Sequence, residues 1–210
     1  MALTDYLRTL AAYRRRQPQE DLLSALIAAE EGGGRLSEDE LYATVALLLV
    51  AGHETTVNLI GNGMLALLRH PEQLQRLRQD PGLIRTAVEE LLRYDSPVQA
   101  TGRIASADLE IRGRTIRAGQ QVTFLLGAAN HDPAWFAHPE RLDIGREPNP
   151  HLAFGSGIHY CLGAPLARLE GQIAIGRLVR RMPKLALVSE PPTYRDNFIL
   201  RGLQSLAVTC

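Results

Sequence analysis

The feature that most constrains this chain is an apolar stretch from Leu41 to Leu68, which opens behind Ser37-Glu38-Asp39-Glu40. A serine and a glutamate three apart form a capping box, in which the Ser37 hydroxyl and the Glu40 carboxylate satisfy N–H groups orphaned at a helix start. The spacing predicts one helix from 37 to 70, roughly 30 residues at 1.5 Å rise each. A surface helix carries a single apolar stripe, whereas this one is apolar on most faces, so it is expected to run through the middle of the protein. His53 and Glu54 interrupt it before either half reaches roughly 18 uninterrupted apolar residues, which argues for a buried helix of a soluble protein over a membrane span.

The flanking segments keep helical spacing. Two short amphipathic helices are expected within 3–31, stopped by Gly32-Gly33-Gly34. Pro71 opens a helix at its first position, a second runs from Pro81 to Tyr94, and Ser96-Pro97 ends the helical block 71–94. Between 99 and 126 the pattern alternates, with turns at Arg112-Gly113 and Ala118-Gly119, and predicts a small antiparallel sheet. Residues 127–157, with Pro133, Pro139, Pro148, Pro150 and Trp135, read as a long structured loop. A final helix is expected over 165–182, followed by short strands over 185–210. The fold class is thus mainly α with a small antiparallel β part.

Composition narrows the function classes. The chain has 210 residues, with 23 basic and 23 acidic side chains spread along it, so it lacks the basic footprint of a nucleic-acid binder. Two cysteines, Cys161 and Cys210, cannot build a disulfide framework, and no leader pattern opens the sequence. A cytoplasmic setting without nucleic acid or membrane partners is the expectation.

Chemistry concentrates at Phe154-Gly155-Ser156-Gly157-Ile158-His159-Tyr160-Cys161-Leu162-Gly163. The cysteine ends a glycine-rich loop directly before a helix with Pro165 in its first turn. Unpaired N–H groups and the positive dipole end of that helix favour a thiolate, and the glycines let backbone approach a flat ligand. Taken alone, the residues also fit a buried structural cysteine, or a nucleophile paired with His159.

The loop 154–163 resembles the haem-binding signature F-x-x-G-x-x-x-C-x-G of the cytochrome P-450 superfamily, matched at Phe154, Gly157, Cys161 and Gly163. The resemblance implies haem b with Cys161 as proximal iron ligand. It also implies a haem contact by Gly155 and a propionate contact by His159, as in soluble bacterial members. Ala51-Gly52-His53-Glu54-Thr55-Thr56, an unfavourable composition for a helix centre, matches the family's A/G-G-x-D/E-T-T signature. By resemblance Gly52 opens an oxygen groove, while Glu54 and Thr55 organise waters that deliver protons to dioxygen. On the residues alone, Glu54 could equally face solvent.

Glu90 and Arg93, three apart, read as an ordinary surface ion pair, but they also match the family's E-x-x-R motif. Pro139-Glu140-Arg141-Leu142 resembles its P-E-R-F segment. The implied network is Glu90, Arg93 and Arg141, with Arg146 as a substitute for Arg141. Resemblance further implies a propionate role for Arg103, electron-donor docking at Arg168, and substrate contacts at Leu47, Val50, Gln99, Thr101, Ile199 and Leu200.

The motifs run in family order over nearly the whole chain, yet family members are about twice as long, so the chain reads as the C-terminal, haem-binding portion of the fold without its N-terminal half. The implied activity is a haem-thiolate monooxygenase that hydroxylates or epoxidises a small organic substrate with electrons from a ferredoxin-type donor. Alternatives are an inactive haem-binding or assembly fragment and a peroxygenase using hydrogen peroxide. Uncovered apolar faces on the long helix imply an oligomer or a missing covering half.

Overall fold

The computed structural model describes residues 2–31, 36–188 and 191–209. The glycines expected to stop the second helix, and Cys210, lie outside them. The chain divides into two compact units, residues 1–54 and 55–210.

In the first unit, α1 (Ala2–Arg16) and α2 (Leu22–Glu31) pack Leu7, Ala11, Leu23 and Ile27 with Leu41 and Tyr42 at the start of α3 (Glu38–Arg69). The capping box forms reciprocally: the Glu40 amide donates to Ser37 Oγ at 3.3 Å and the Ser37 amide to Glu40 Oε2 at 2.7 Å. Beyond Ala46 the expectation of a buried helix fails for this unit, because Leu47 to His53 are all exposed, Leu47 by 65%. The reason is that α1 and α2 cover only Leu41, Tyr42 and, in part, Val45 and Ala46.

In the second unit the remainder of α3 behaves as a core helix, burying Leu59, Met64, Leu65, Ala66 and Leu67 along with the polar Asn58 and Asn62. By length and composition alone α3 would suffice to cross a membrane. Helix α4 (Pro71–Gln79) has its proline in the first turn, and a 3₁₀ turn (Pro81–Leu83) leads into α5 (Ile84–Tyr94). Strong amphipathicity of α5 lets Ala87, Val88, Leu91 and Leu92 join the α3 side chains in the main core.

The expected single sheet is instead two separate antiparallel ribbons. Strand β1 (Ala100–Ile104) pairs with β4 (Gln121–Leu125), whereas β2 (Leu109–Ile111) and β3 (Arg114–Ile116) form a hairpin of their own. The hairpin turn puts Arg112 at φ 50° and Gly113 at φ 74°, a left-handed pair that the Arg-Gly dipeptide tolerates at its glycine. A four-residue helix, α6 (Leu126–Ala129), follows β4 at once. Helix α7 (Ala164–Arg181) then packs on α5 through Ile175 and Val179, and β5 (Ala186–Leu187) pairs with β6 (Val208–Thr209).

Candidate cofactor site at the cysteine loop

The loop between Phe154 and Gly163 is shaped by its glycines. Gly155 and Gly157 both stand at φ 69°, a conformation that costs an L side chain about 1 kcal/mol or more. They turn the chain into a 3₁₀ turn, Gly157–His159, after which the Cys161 amide donates back to the Phe154 carbonyl at 3.0 Å and closes the loop. Helix α7 begins three residues past Cys161, with Gly163 as its cap and the Ala164 amide 3.3 Å from the Cys161 carbonyl.

Cys161 is a free, exposed thiol, which removes the buried structural cysteine as a reading. Its loop neighbours Ile158 and Leu162 are 98% and 88% exposed, and Tyr160 and His159 are exposed too. A sulfur donor presented beside uncovered apolar side chains and a histidine suits the edge and face of a haem, whose iron needs one soft protein ligand and whose ring needs apolar surface. Arg103, on β1, is likewise exposed; its Nη1 donates to Thr101 Oγ1 at 3.1 Å and to the Gly102 carbonyl at 2.7 Å. Among the described residues no hydrogen bond joins Arg103, His159 and Cys161.

Glu90 and Arg93 of α5 are fully buried, so they are no surface pair. Arg93 meets Glu90 in a two-pronged contact, Nε to Oε2 at 2.8 Å and Nη2 to Oε1 at 2.9 Å, with both side chains at 0% exposure. Its Nη1 donates to the Asn130 and Pro139 carbonyls and Nη2 to that of Arg141. The expected contribution of Arg141 needs correcting: its side chain is exposed and it offers only its carbonyl. The second guanidinium is that of Arg146, whose Nε sits 3.1 and 3.0 Å from the two Glu90 oxygens. The Asp143–Arg146 turn, closed by the Arg146 amide on the Asp143 carbonyl, aims Arg146 inward while Arg141 remains on the outer side. The Asp143 amide and Asn149 Nδ2 complete the carboxylate's bonds.

Sequence reasoning missed Asn130. It is fully buried, donates to Ser96 Oγ at 2.8 Å, and accepts the Leu152 amide at 2.7 Å, tying the end of α5 to the strand of loop that leads into Phe154. Its position after a four-residue helix carries no periodic signal. Glu89, next to Glu90, was also missed: it accepts from His151 Nε2 at 3.0 Å and from Arg168 Nε and Nη2 at 2.7 and 2.9 Å. Arg168 is therefore ion-paired within the protein, against the expectation that it presents a docking charge.

Gly52, Glu54 and Thr55 follow one another through an unbroken part of α3. A Cβ on Gly52 would meet nothing within 4 Å, and Glu54 and Thr55 are half-buried. Of the expected substrate residues, Gln99 and Ile199 are joined by the Gln99 amide on the Ile199 carbonyl at 2.8 Å, and Val98 bridges to Leu200. Thr101 lies two residues on in β1, while Leu47 and Val50 are exposed on the α3 segment of the first unit. A Cβ on Gly127 would meet the end of the Gln99 side chain, which would have to shift to make room.

The site thus combines an exposed thiol three residues before α7, a glycine-turned loop around it, and a buried Glu90–Arg93 pair joined by Arg146. The family model for "Cytochrome P450" matches residues 4–201, and the chain belongs to that family. It is 55% identical over 204 residues to the "Biotin biosynthesis cytochrome P450" of Bacillus subtilis (strain 168), covering 97% of this chain and 51% of that one. It is 52% identical over 211 residues to the "Vitamin D(3) 25-hydroxylase" of Pseudonocardia autotrophica, covering 99% and 52%. A crystal structure of P450BioI in complex with hexadec-9Z-enoic acid ligated acyl carrier protein superposes with a TM-score of 0.94 at 54% identity, over 100% of this chain and 53% of that one. The chain thus spans about half the length of the curated relatives it matches.

Proposed function

We propose that this chain is the haem-binding portion of a bacterial P450 monooxygenase, oxidising a small organic substrate in the cytoplasm with electrons from a ferredoxin-type donor. The single observation that supports it most is the exposed Cys161 thiol three residues before α7, on a turn closed by the Cys161 amide on the Phe154 carbonyl and flanked by uncovered Ile158 and Leu162. Haem b, when bound, supplies dioxygen activation for insertion into a C–H or C=C bond. In this reading Cys161 would be its sulfur ligand, Phe154, Gly155, Gly157 and Gly163 would shape the contact, and His159 and the Arg103 guanidinium would bond the propionates. Gly52 leaves open space on α3. Glu54 and Thr55 hold water and pass protons along hydrogen bonds. Gln99, Thr101, Ile199 and Leu200 are proposed to touch the substrate. The apolar ligand class follows the relatives, which include a vitamin D(3) hydroxylase and a protein solved with a fatty acyl chain.

The test is a haemin titration of the purified chain followed by the carbon monoxide difference spectrum of the reduced product. A thiolate-type band in the parent that disappears in Cys161→Ser is expected. The same band in both would refute the assignment.

A further inference from the structure

We infer that Glu89, acting through His151 and Arg168, is a positioning residue for the Cys161 loop, a second anchor separate from the Glu90 cluster. The inference rests on the reading of Cys161 as the haem ligand. Residues 89 and 90 are consecutive on α5 and so point roughly 100° apart around the helix. Glu90 bonds the Asp143 amide, Arg146 and Asn149, whereas Glu89 bonds His151 and, on α7, Arg168.

The partners of Glu89 reach both ends of the loop. The His151 side chain is 3% exposed, and its Nδ1 accepts the Ala153 amide at 3.2 Å, so Nε2 carries the proton that it donates to Glu89. That fixes the backbone one residue before Phe154. The Arg168 guanidinium lies 4.6 Å from the Phe154 ring centroid, at the loop's start, and its Nη1 donates to the Tyr160 hydroxyl at 3.0 Å, immediately before Cys161. Phe154 and Tyr160 are themselves in edge contact at 6.4 Å, and the amide of Cys161 bonds the carbonyl of Phe154. One carboxylate therefore orients a planar cation that touches the two aromatic residues between which the thiol-bearing turn is strung. An arginine left without Glu89 would be free to swing, because its stem is flexible and its other contacts, the Tyr160 hydroxyl and the Phe154 ring, carry no charge.

Glu89→Gln, Glu89→Ala, Arg168→Ala and Arg168→Lys test this in two independent ways. In the haem-free chain, amide hydrogen exchange at Cys161 should accelerate by about tenfold or more in Glu89→Ala and Arg168→Ala, the scale of losing a charge-assisted bond, while Leu65 to Leu67 of α3 keep the parent's protection. Arg168→Lys retains the pairing with Glu89 but cannot bridge to Tyr160, and should fall between. In the haem-loaded chain the same variants should convert part of the thiolate-type carbon monoxide band to the thiol type, in the same order. Parent-like Cys161 exchange in Glu89→Ala and Arg168→Ala would overturn the inference. Should Glu89→Ala not fold, Glu89→Gln keeps the side chain's shape and is judged by the same readout. Failure of the haem reading shows separately, as absence of a Cys161-dependent band in the parent, and leaves the exchange result standing on its own.

Discussion

Arg146 Nε lies 3.0 Å from Glu90 Oε2 and 3.1 Å from Oε1, so a residue of an irregular loop is centred on a carboxylate that belongs to α5. The Arg146 side chain is nearly buried and its remaining N–H groups go to the carbonyls of Ala137, His138 and Arg141. Arg146→Ala should therefore cost about 1–3 kcal/mol in urea unfolding, the range for losing hydrogen bonds to a charged group. Arg141→Ala, which removes only an exposed side chain, should stay within about 0.5 kcal/mol of the parent. Equal losses for the two would reverse the assignment.

Glu90 and Arg93 face each other with no solvent, and removing one strands the other's charge. Either Glu90→Ala or Arg93→Ala should cost about 3–5 kcal/mol. The double variant should cost far less than the sum, because most of each single loss is the stranded partner. A double-mutant cycle from chemical unfolding reads the coupling directly, and additive losses would mean the pair is not the stabilising unit.

This cluster also shows where sequence stopped being informative. Ser37 and Glu40, Pro71 at the head of α4, the Arg112-Gly113 turn and the Cys161 loop are local signals, each decided by a few adjacent residues, and all stand where their chemistry places them. The choice between Arg141 and Arg146 is not local. It depends on the path of the loop from Phe136 to Ala153, which is set by Arg93 and Asn130 reaching across 22 to 48 residues of chain. Pairing of β1 with β4 around an intervening hairpin is likewise a tertiary outcome that alternation cannot reveal. Periodicity also marks a helix as apolar without saying what covers it, which is why α3 is a core helix at Leu59–Leu67 and exposed at Leu47–His53.

Acid should loosen the Glu89 anchor in a defined window. Burial works to raise the Glu89 carboxyl, but the bonds from His151 and Arg168 and the charge of the Arg168 guanidinium outweigh it and hold the group at about 2, below its ordinary 4.5. A folded value below the unfolded one means the contribution is complete above 4.5 and is lost as pH falls from 4.5 toward 2. Asp21, Glu38, Glu40, Asp108 and Asp143 are also lowered and titrate in acid, so the parent alone does not isolate Glu89. Thermal unfolding of Glu89→Gln should fall less steeply than the parent's across that window, and parallel curves would show that the pair contributes nothing there.

Gly157 separates backbone need from space. A Cβ there meets nothing within 4 Å, so Gly157→Ala is sterically free in the haem-free chain and pays only for φ 69°. Its stability should drop by about 1–2 kcal/mol. If the proposed haem lies against the loop, haem affinity measured in parallel should fall by more than that, because the methyl would project into open space beside the loop. A haem affinity that falls only in step with stability would confine the glycine to a folding role.

The exposed run on α3 makes a last prediction about association. Leu47, Leu49 and Val50 are each more than half exposed, and Leu48 and Leu49 border a shallow apolar groove with Leu22, Leu23, Leu26 and Val45. Consecutive apolar residues around a helix present more than one face, and apolar patches of that kind bury against whatever is available, including another copy. Sedimentation velocity of the haem-free chain should show mass-dependent association. Leu49→Glu should shift it toward monomer without changing the unfolding midpoint, since an exposed position contributes little to the monomer's core. A parent that stays monomeric up to high concentration would show that the groove and the exposed run satisfy themselves within one chain.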